Sequence, residues 1–175
     1  LMELLIDPAC SIVFEAEPAA DDLMQRPPRP VDDSPFALRA LVRPLLQGAG
    51  VAALLLAAQA WLQAQGWSLA QGRTVVFGAL LPCVLLLILA QRNPASAVLH
   101  RAAAPNPWLA PMAAAVGLLL LALLAIPGLG RLMGLADVGW PGLAAGAGVL
   151  ALCLAWLELL RLVMARLTAR TVSER

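Results

Sequence analysis

Long apolar runs separated by short polar stretches dominate the chain. Four of them, at 41–62, 74–90, 108–126 and 141–163, have roughly the 17–25 residues that an α-helix needs to cross a bilayer core. A fifth, at 1–14, is apolar but short. At about 1.5 Å per residue it reaches roughly 21 Å, against a hydrocarbon core of about 30 Å, and is expected to be the end of a span whose start lies upstream. The pattern predicts an all-α integral membrane protein with five transmembrane helices, the first truncated at its N-terminus. It divides into the end of one membrane helix (1–17), a polar loop (18–40), a four-helix membrane region (41–163) and a polar tail (164–175).

The connections differ in character. Residues 15–40 hold Glu15, Glu17, Asp21, Asp22, Asp32 and Asp33, and Arg26-Pro27-Pro28-Arg29-Pro30 predicts a stiff, extended path, because proline fixes φ and lacks an amide donor. The stretch 63–73 is nearly uncharged. Residues 92–107 carry Arg92, His100 and Arg101 followed by Pro105 and Pro107, and 127–140 is expected to be a Gly- and Pro-rich loop holding Arg131 and Asp137. No internal repeat is evident.

Composition strengthens the membrane reading. Hydrophobic residues make up 61% of the 175 and charged residues 13%, against about 45–50% and about 25% in soluble domains. The mean hydropathy is +0.82, and polar surface is too scarce for a water-soluble fold. A formal net charge of +1 provides no global field for nucleic acid. The apolar start has neither a basic n-region nor a small-residue cleavage site, so it does not read as a signal peptide and points to a fragment. Cys10, Cys83 and Cys153 lie in apolar runs without a metal-binding or redox spacing and read as small apolar residues.

The distribution of arginine adds an orientation. All twelve basic residues are arginine. Arg26, Arg29, Arg39, Arg43, Arg92, Arg101, Arg161, Arg166, Arg170 and Arg175 fall on one side of the five-span topology, and only Arg73 and Arg131 on the other. The positive-inside rule then makes the richer side cytoplasmic, with the N-terminus external and the C-terminus inside. Trp61, Trp67, Trp108 and Trp140 stand near predicted helix ends, as interfacial anchors do. The Leu/Ala-rich, lysine-free composition suits a GC-rich bacterial genome, and hence a bacterial inner membrane.

Glu3 and Asp7 are four residues apart in the first run, so a helix projects them from one face. Pro8 removes the bond to the carbonyl of Leu4 and loosens the helix there. Carboxylates beside freed carbonyls are hard-cation ligands, and broken helices build ion sites in transporters. Two readings stay open: an intramembrane ion site, or a solvated Glu3 near the outer interface with Asp7-Pro8 as a plain kink. Glu15 and Glu17 are expected to be solvated at the helix end, Glu158 to pair with Arg161 three residues on, and His100 to be exposed. The glycines at 128–130 and 142–148 are no phosphate loop, since no strand precedes them. Those of the last run suit close helix packing.

The run Glu3-Leu4-Leu5-Ile6-Asp7-Pro8-Ala9-Cys10-Ser11-Ile12-Val13-Phe14-Glu15-Ala16-Glu17-Pro18, followed by Asp22-Leu23-Met24-Gln25-Arg26-Pro27-Pro28-Arg29, resembles the sixth transmembrane helix and following loop of the P-type cation-transporting ATPases. The remaining spans resemble helices seven to ten of that family in number and order, down to the Trp156-Leu157-Glu158-Leu159-Leu160-Arg161 ending. The resemblance implies that Asp7 and Glu3 ligate a transported cation such as Ca²⁺. Ile6 and Pro8 replace a threonine and a glycine of the calcium-type pattern, and Val84 stands where calcium pumps place a carboxylate. It also implies that Asp22, Met24, Arg26, Pro27, Pro28 and Arg29 form a loop coupling the membrane helices to a phosphorylation domain. The intact parent would use ATP and Mg²⁺. The chain holds no Asp-Lys-Thr-Gly motif, no actuator motif and no nucleotide-binding domain, so alone it is expected to hydrolyse nothing and to bind no cofactor. Its expected partners are the lipid bilayer and the phosphorylation, actuator and nucleotide-binding parts of the pump. The alternative reading is a non-enzymatic scaffold or accessory subunit of a separately encoded transporter.

Overall fold

The computed structural model describes residues 11–18, 24, 38–92 and 106–173. A short helical segment at 11–15 precedes five helices: α1 (Leu38–Ala64), α2 (Leu69–Arg92), α3 (Leu109–Ala125), α4 (Pro127–Leu132) and α5 (Gly139–Ser173). No strand occurs among the described residues. Three helices are long and apolar enough to cross a membrane, over Leu41–Ala64, Leu69–Arg92 and Gly139–Leu167, and Leu109–Ala125 is a shorter apolar helix. At about 26 Å its 17 residues fall slightly short of a full bilayer core. The fifth expected span is represented only by residues 11–15, and the rest of it lies outside the described residues.

Local sequence explains where the helices start and stop. α2 begins five residues before the expected Thr74 because Ser68 and Gln71 form a reciprocal cap. The Gln71 amide donates to Ser68 Oγ at 3.2 Å and the Ser68 amide to Gln71 Oε1 at 3.0 Å, satisfying two amides that a helix start leaves open. α1 closes at Gly66, whose φ of +84° suits glycine alone. The amide of Trp67 reaches back to the carbonyl of Leu62 at 3.1 Å, the geometry of a Schellman end. The expected loop at 127–140 contains α4, because Pro127 at the first helical position is preorganised for a helix and forfeits only an amide that would be unpaired anyway. α5 runs past the expected limit at 163 into the arginine-bearing tail.

α2 is the centre of the packing. It buries Val75, Ala79, Leu81, Cys83, Leu86, Ile88 and Ala90, and meets Val51 and Leu55 of α1 and Val149, Cys153 and Leu157 of α5 in one core. Cys83 and Cys153 are buried free thiols in that core, as small apolar packing residues would be. α3 buries only Val116 and Leu123 and is peripheral. Leu45, Leu56, Leu118, Leu121, Leu152 and Leu159 point outward, which suits helices whose outer solvent is hydrocarbon. Gly50 permits a close approach of α1 to α5, since a Cβ there would overlap the indole of Trp156, whose Nε1 donates to the carbonyl of Leu46 at 3.3 Å. Of the last-run glycines, Gly146 packs on the backbone of Val75 in α2, while Gly148 faces open space.

Candidate functional site at one end of the bundle

The residues expected to ligate a cation, Glu3 and Asp7, lie outside the described residues, as do Pro8, Asp22, Arg26, Pro27, Pro28 and Arg29 of the expected helix break and coupling loop. Met24, from the same loop, is almost fully exposed. What the structure does describe is the way the segment carrying those acids is held at its far end.

That anchor is a polar cluster joining three parts of the chain. The helical turn at 11–15 ends with the Glu17 amide bonded to the carbonyl of Phe14 at 3.3 Å, which leaves the carbonyl of Val13 without its helical donor. Asn106, just before α3, supplies one: its Nδ2 donates to Val13 O at 2.8 Å and to Glu17 Oε2 at 2.9 Å. The Asn106 side-chain oxygen accepts the Trp108 amide at 3.0 Å and so shapes the entry to α3. Arg92, the last residue of α2, donates from Nε to Glu17 Oε2 at 2.6 Å, with its own side chain only 6% exposed. A buried guanidinium is costly unless a carboxylate and hydrogen bonds compensate it, and Glu17 provides both.

Glu17 is therefore not merely solvated, as its position at a helix end suggested. It is half-buried, and the hydrogen bond from Arg92 leads in holding its carboxyl below the usual carboxylate range. Burial opposes that shift, while Asn106 and the Arg92 charge support it. No spacing in the sequence could have revealed the cluster, because Glu17 and Arg92 are 75 residues apart. Glu15 is exposed and accepts a bond from Ser11 at 3.4 Å. The expected pair of Glu158 with Arg161 is present at 2.7 Å.

The opposite end of α2 carries a second fastener. The Thr74 hydroxyl bonds the Ala70 carbonyl at 2.9 Å and accepts the Ala136 amide at 2.9 Å. Thr74 and Arg92 are separated along α2 by about 27 Å, close to the thickness of a bilayer core. A cavity of about 590 Å³ opens beside Thr74, Arg131 and Asp137. Thr74 is occupied as above, and Asp137 accepts the Gly139 amide at 3.0 Å. Among the described residues no group of three or more His, Cys, Asp or Glu side chains could hold a metal ion.

Comparison with known families decides the identity. The family described as Cation transporting ATPase, C-terminus matches residues 1–163. The chain belongs to this family. It is the C-terminal membrane domain of cation-transporting P-type ATPases. No characterised protein and no solved structure matches the chain. In this cation-ATPase domain, the cluster of Glu17, Arg92 and Asn106 ties the helical segment at 11–15 to α2 and α3.

A carboxyl whose folded pKa is depressed contributes stability above its ordinary value and loses it as pH falls through the lowered folded value. Glu17 should therefore contribute fully above about pH 4.5 and progressively less below. Glu17→Gln should cost about 1–3 kcal/mol at neutral pH by removing the charged acceptor of the Arg92 and Asn106 hydrogen bonds. It should also flatten the acid limb of stability. Thermal melts of both proteins across pH check this, and parallel acid limbs would contradict it.

Proposed function

We propose that the chain forms part of the ion path and of the coupling apparatus of a P-type cation pump. The observation that carries this reading is the clamp on Glu17. It fixes the end of the segment on which Glu3 and Asp7 lie ten to fourteen residues upstream, so that segment cannot shift without disturbing α2 and α3. Within it, Glu3 and Asp7 supply oxygen ligands to the transported cation, and Pro8 opens the helix beside them. The loop from Asp22 through Met24 to Arg26, Pro27, Pro28 and Arg29 passes movements of the phosphorylation domain to that segment. Two prolines flanked by arginines make a stiff lever with charged attachment points.

The cargo is a cation, and the absence of a carboxylate at Val84 sets the site apart from the calcium-type ligand set. ATP and Mg²⁺ act in the phosphorylation, actuator and nucleotide-binding domains of the same pump, and domain movements there would alternate access to the site. The start of α1 with Arg39 and Arg43 and the end of α5 with Arg161, Arg166 and Arg170 face the cytoplasm in this reading, with the Glu17 cluster on the inner side and the Thr74 fastener on the outer side. The exposed Trp61 and Trp140 and the half-exposed Trp108 near helix ends are consistent with interfacial positions.

In the intact pump, Asp7→Asn should lower the ion-dependent formation of phosphoenzyme from ATP by more than about tenfold. A lost charged ligand in a low-dielectric site is worth over about 1.4 kcal/mol. Phosphoenzyme with unchanged ion dependence would refute the ligand role. Orientation is checked separately by membrane-impermeant thiol labelling of Arg29→Cys and Arg131→Cys in a cysteine-free background. The former should be protected from outside and the latter labelled, and equal labelling would overturn the topology.

A further inference from the structure

Arg43 has no hydrogen-bond or ion-pair partner among the described residues. Its side chain is half-buried in the second turn of α1, and its Nε is buried with no hydrogen bond. The register of α1 on α5 sets its surroundings. Trp156 bonds the Leu46 carbonyl and rests on Gly50, so the antiparallel helices bring Arg43, one turn before Leu46, toward Arg161, which lies close enough to repel it. Glu158 is bound to Arg161 at 2.7 Å. Gln47, one turn along α1, accepts from Gln91 of α2 at 3.0 Å, so its side-chain oxygen is engaged with α2. Among the described residues, two guanidinium groups thus share one carboxylate and leave a surplus positive charge. The surface around them is apolar: Leu45, Leu46, Leu159, Leu162 and Val163 are all exposed.

A half-buried guanidinium beside a like charge is unfavourable unless an anion compensates it. A phosphate oxygen pair fits the fork of an arginine. The leucine surface needs hydrocarbon, and only a lipid joins the two in one molecule. A zwitterionic lipid brings its own cation and leaves the surplus charge uncancelled. We propose that Arg43 and Arg161 bind the headgroup phosphate of one anionic phospholipid, whose acyl chains lie along the outward leucines of α1 and α5. The site lies at the bundle end where α1 begins and α5 leaves the membrane, a depth at which headgroups and arginines meet.

The test uses the intact pump in nanodiscs of phosphatidylcholine with and without phosphatidylglycerol, read by thermal melting. Phosphatidylglycerol should raise the wild-type Tm by a few degrees, because a ligand of the folded state stabilises it. Arg43→Met should lose that gain, and in pure phosphatidylcholine it should melt no lower than wild type, since it removes an uncompensated charge. Arg166→Gln, which alters an exposed arginine further along α5, should keep the gain. Native mass spectrometry of the unmodified pump should retain one phosphatidylglycerol in preference to phosphatidylcholine, a readout that does not depend on the variant folding. A full gain in Arg43→Met, an equal loss in Arg166→Gln, or the same gain from inorganic phosphate in phosphatidylcholine discs would overturn the proposal.

Discussion

A buried positive charge at the end of the most central helix constrains everything around it. α2 packs against α1, α3 and α5, and it ends in Arg92, whose side chain is nearly excluded from solvent. A charge in that position must be met by an acid. Among the described residues that acid is Glu17, from a segment that the chain leaves long before it builds α2. Asn106 completes the arrangement by bonding Glu17, the open carbonyl of Val13 and the amide of Trp108. One charge requirement thereby fixes the first segment, the end of α2 and the start of α3 at a single point.

The interior between the two ends of α2 is held differently. Lipid offers helices no hydrophobic reason to associate, so contact depends on small side chains and close backbones. Ala79, Cys83, Cys153 and the bare backbone at Gly50 supply these. The Thr74 bond to Ala136 closes the far end. The bundle is thus pinned by polar contacts at two levels about one bilayer core apart, with an apolar stretch between them. A movement of the first segment would strain the Glu17 level first.

Much of this was legible in the sequence, for a physical reason. Burial in lipid makes a helix apolar on every face, so four runs of the right length announced α1, α2, α3 and α5 to within a few residues, apart from the start of α2 and the extension of α5. The start of α2 was misplaced although the Ser68 and Gln71 pair of a capping box is written in the chain. α4 was hidden because proline and glycine mark loops and helix starts alike. The Glu158 and Arg161 pair was legible because helix geometry makes it local. The Glu17 cluster, the Trp156 seat on Gly50 and the buried, unbonded Nε of Arg43 were not, since each depends on contacts between residues far apart in the chain. Residues 1–163 carried enough family pattern to place the chain among the cation-ATPase C-terminal domains, while the reading of Glu3 and Asp7 as ion ligands rests on their spacing and on the resemblance, and both lie outside the described residues.

The central claim is that Glu17 and Arg92 act as one unit joining the first segment to α2. A double-mutant cycle measures this directly, with Glu17→Gln, Arg92→Met and the pair compared by equilibrium stability in the same lipid. Because each single change removes the same Arg92–Glu17 contact, the double variant should cost less than the two single losses added together. The coupling energy should be about 1–3 kcal/mol. Losses that simply add, with a coupling near zero, would contradict the account.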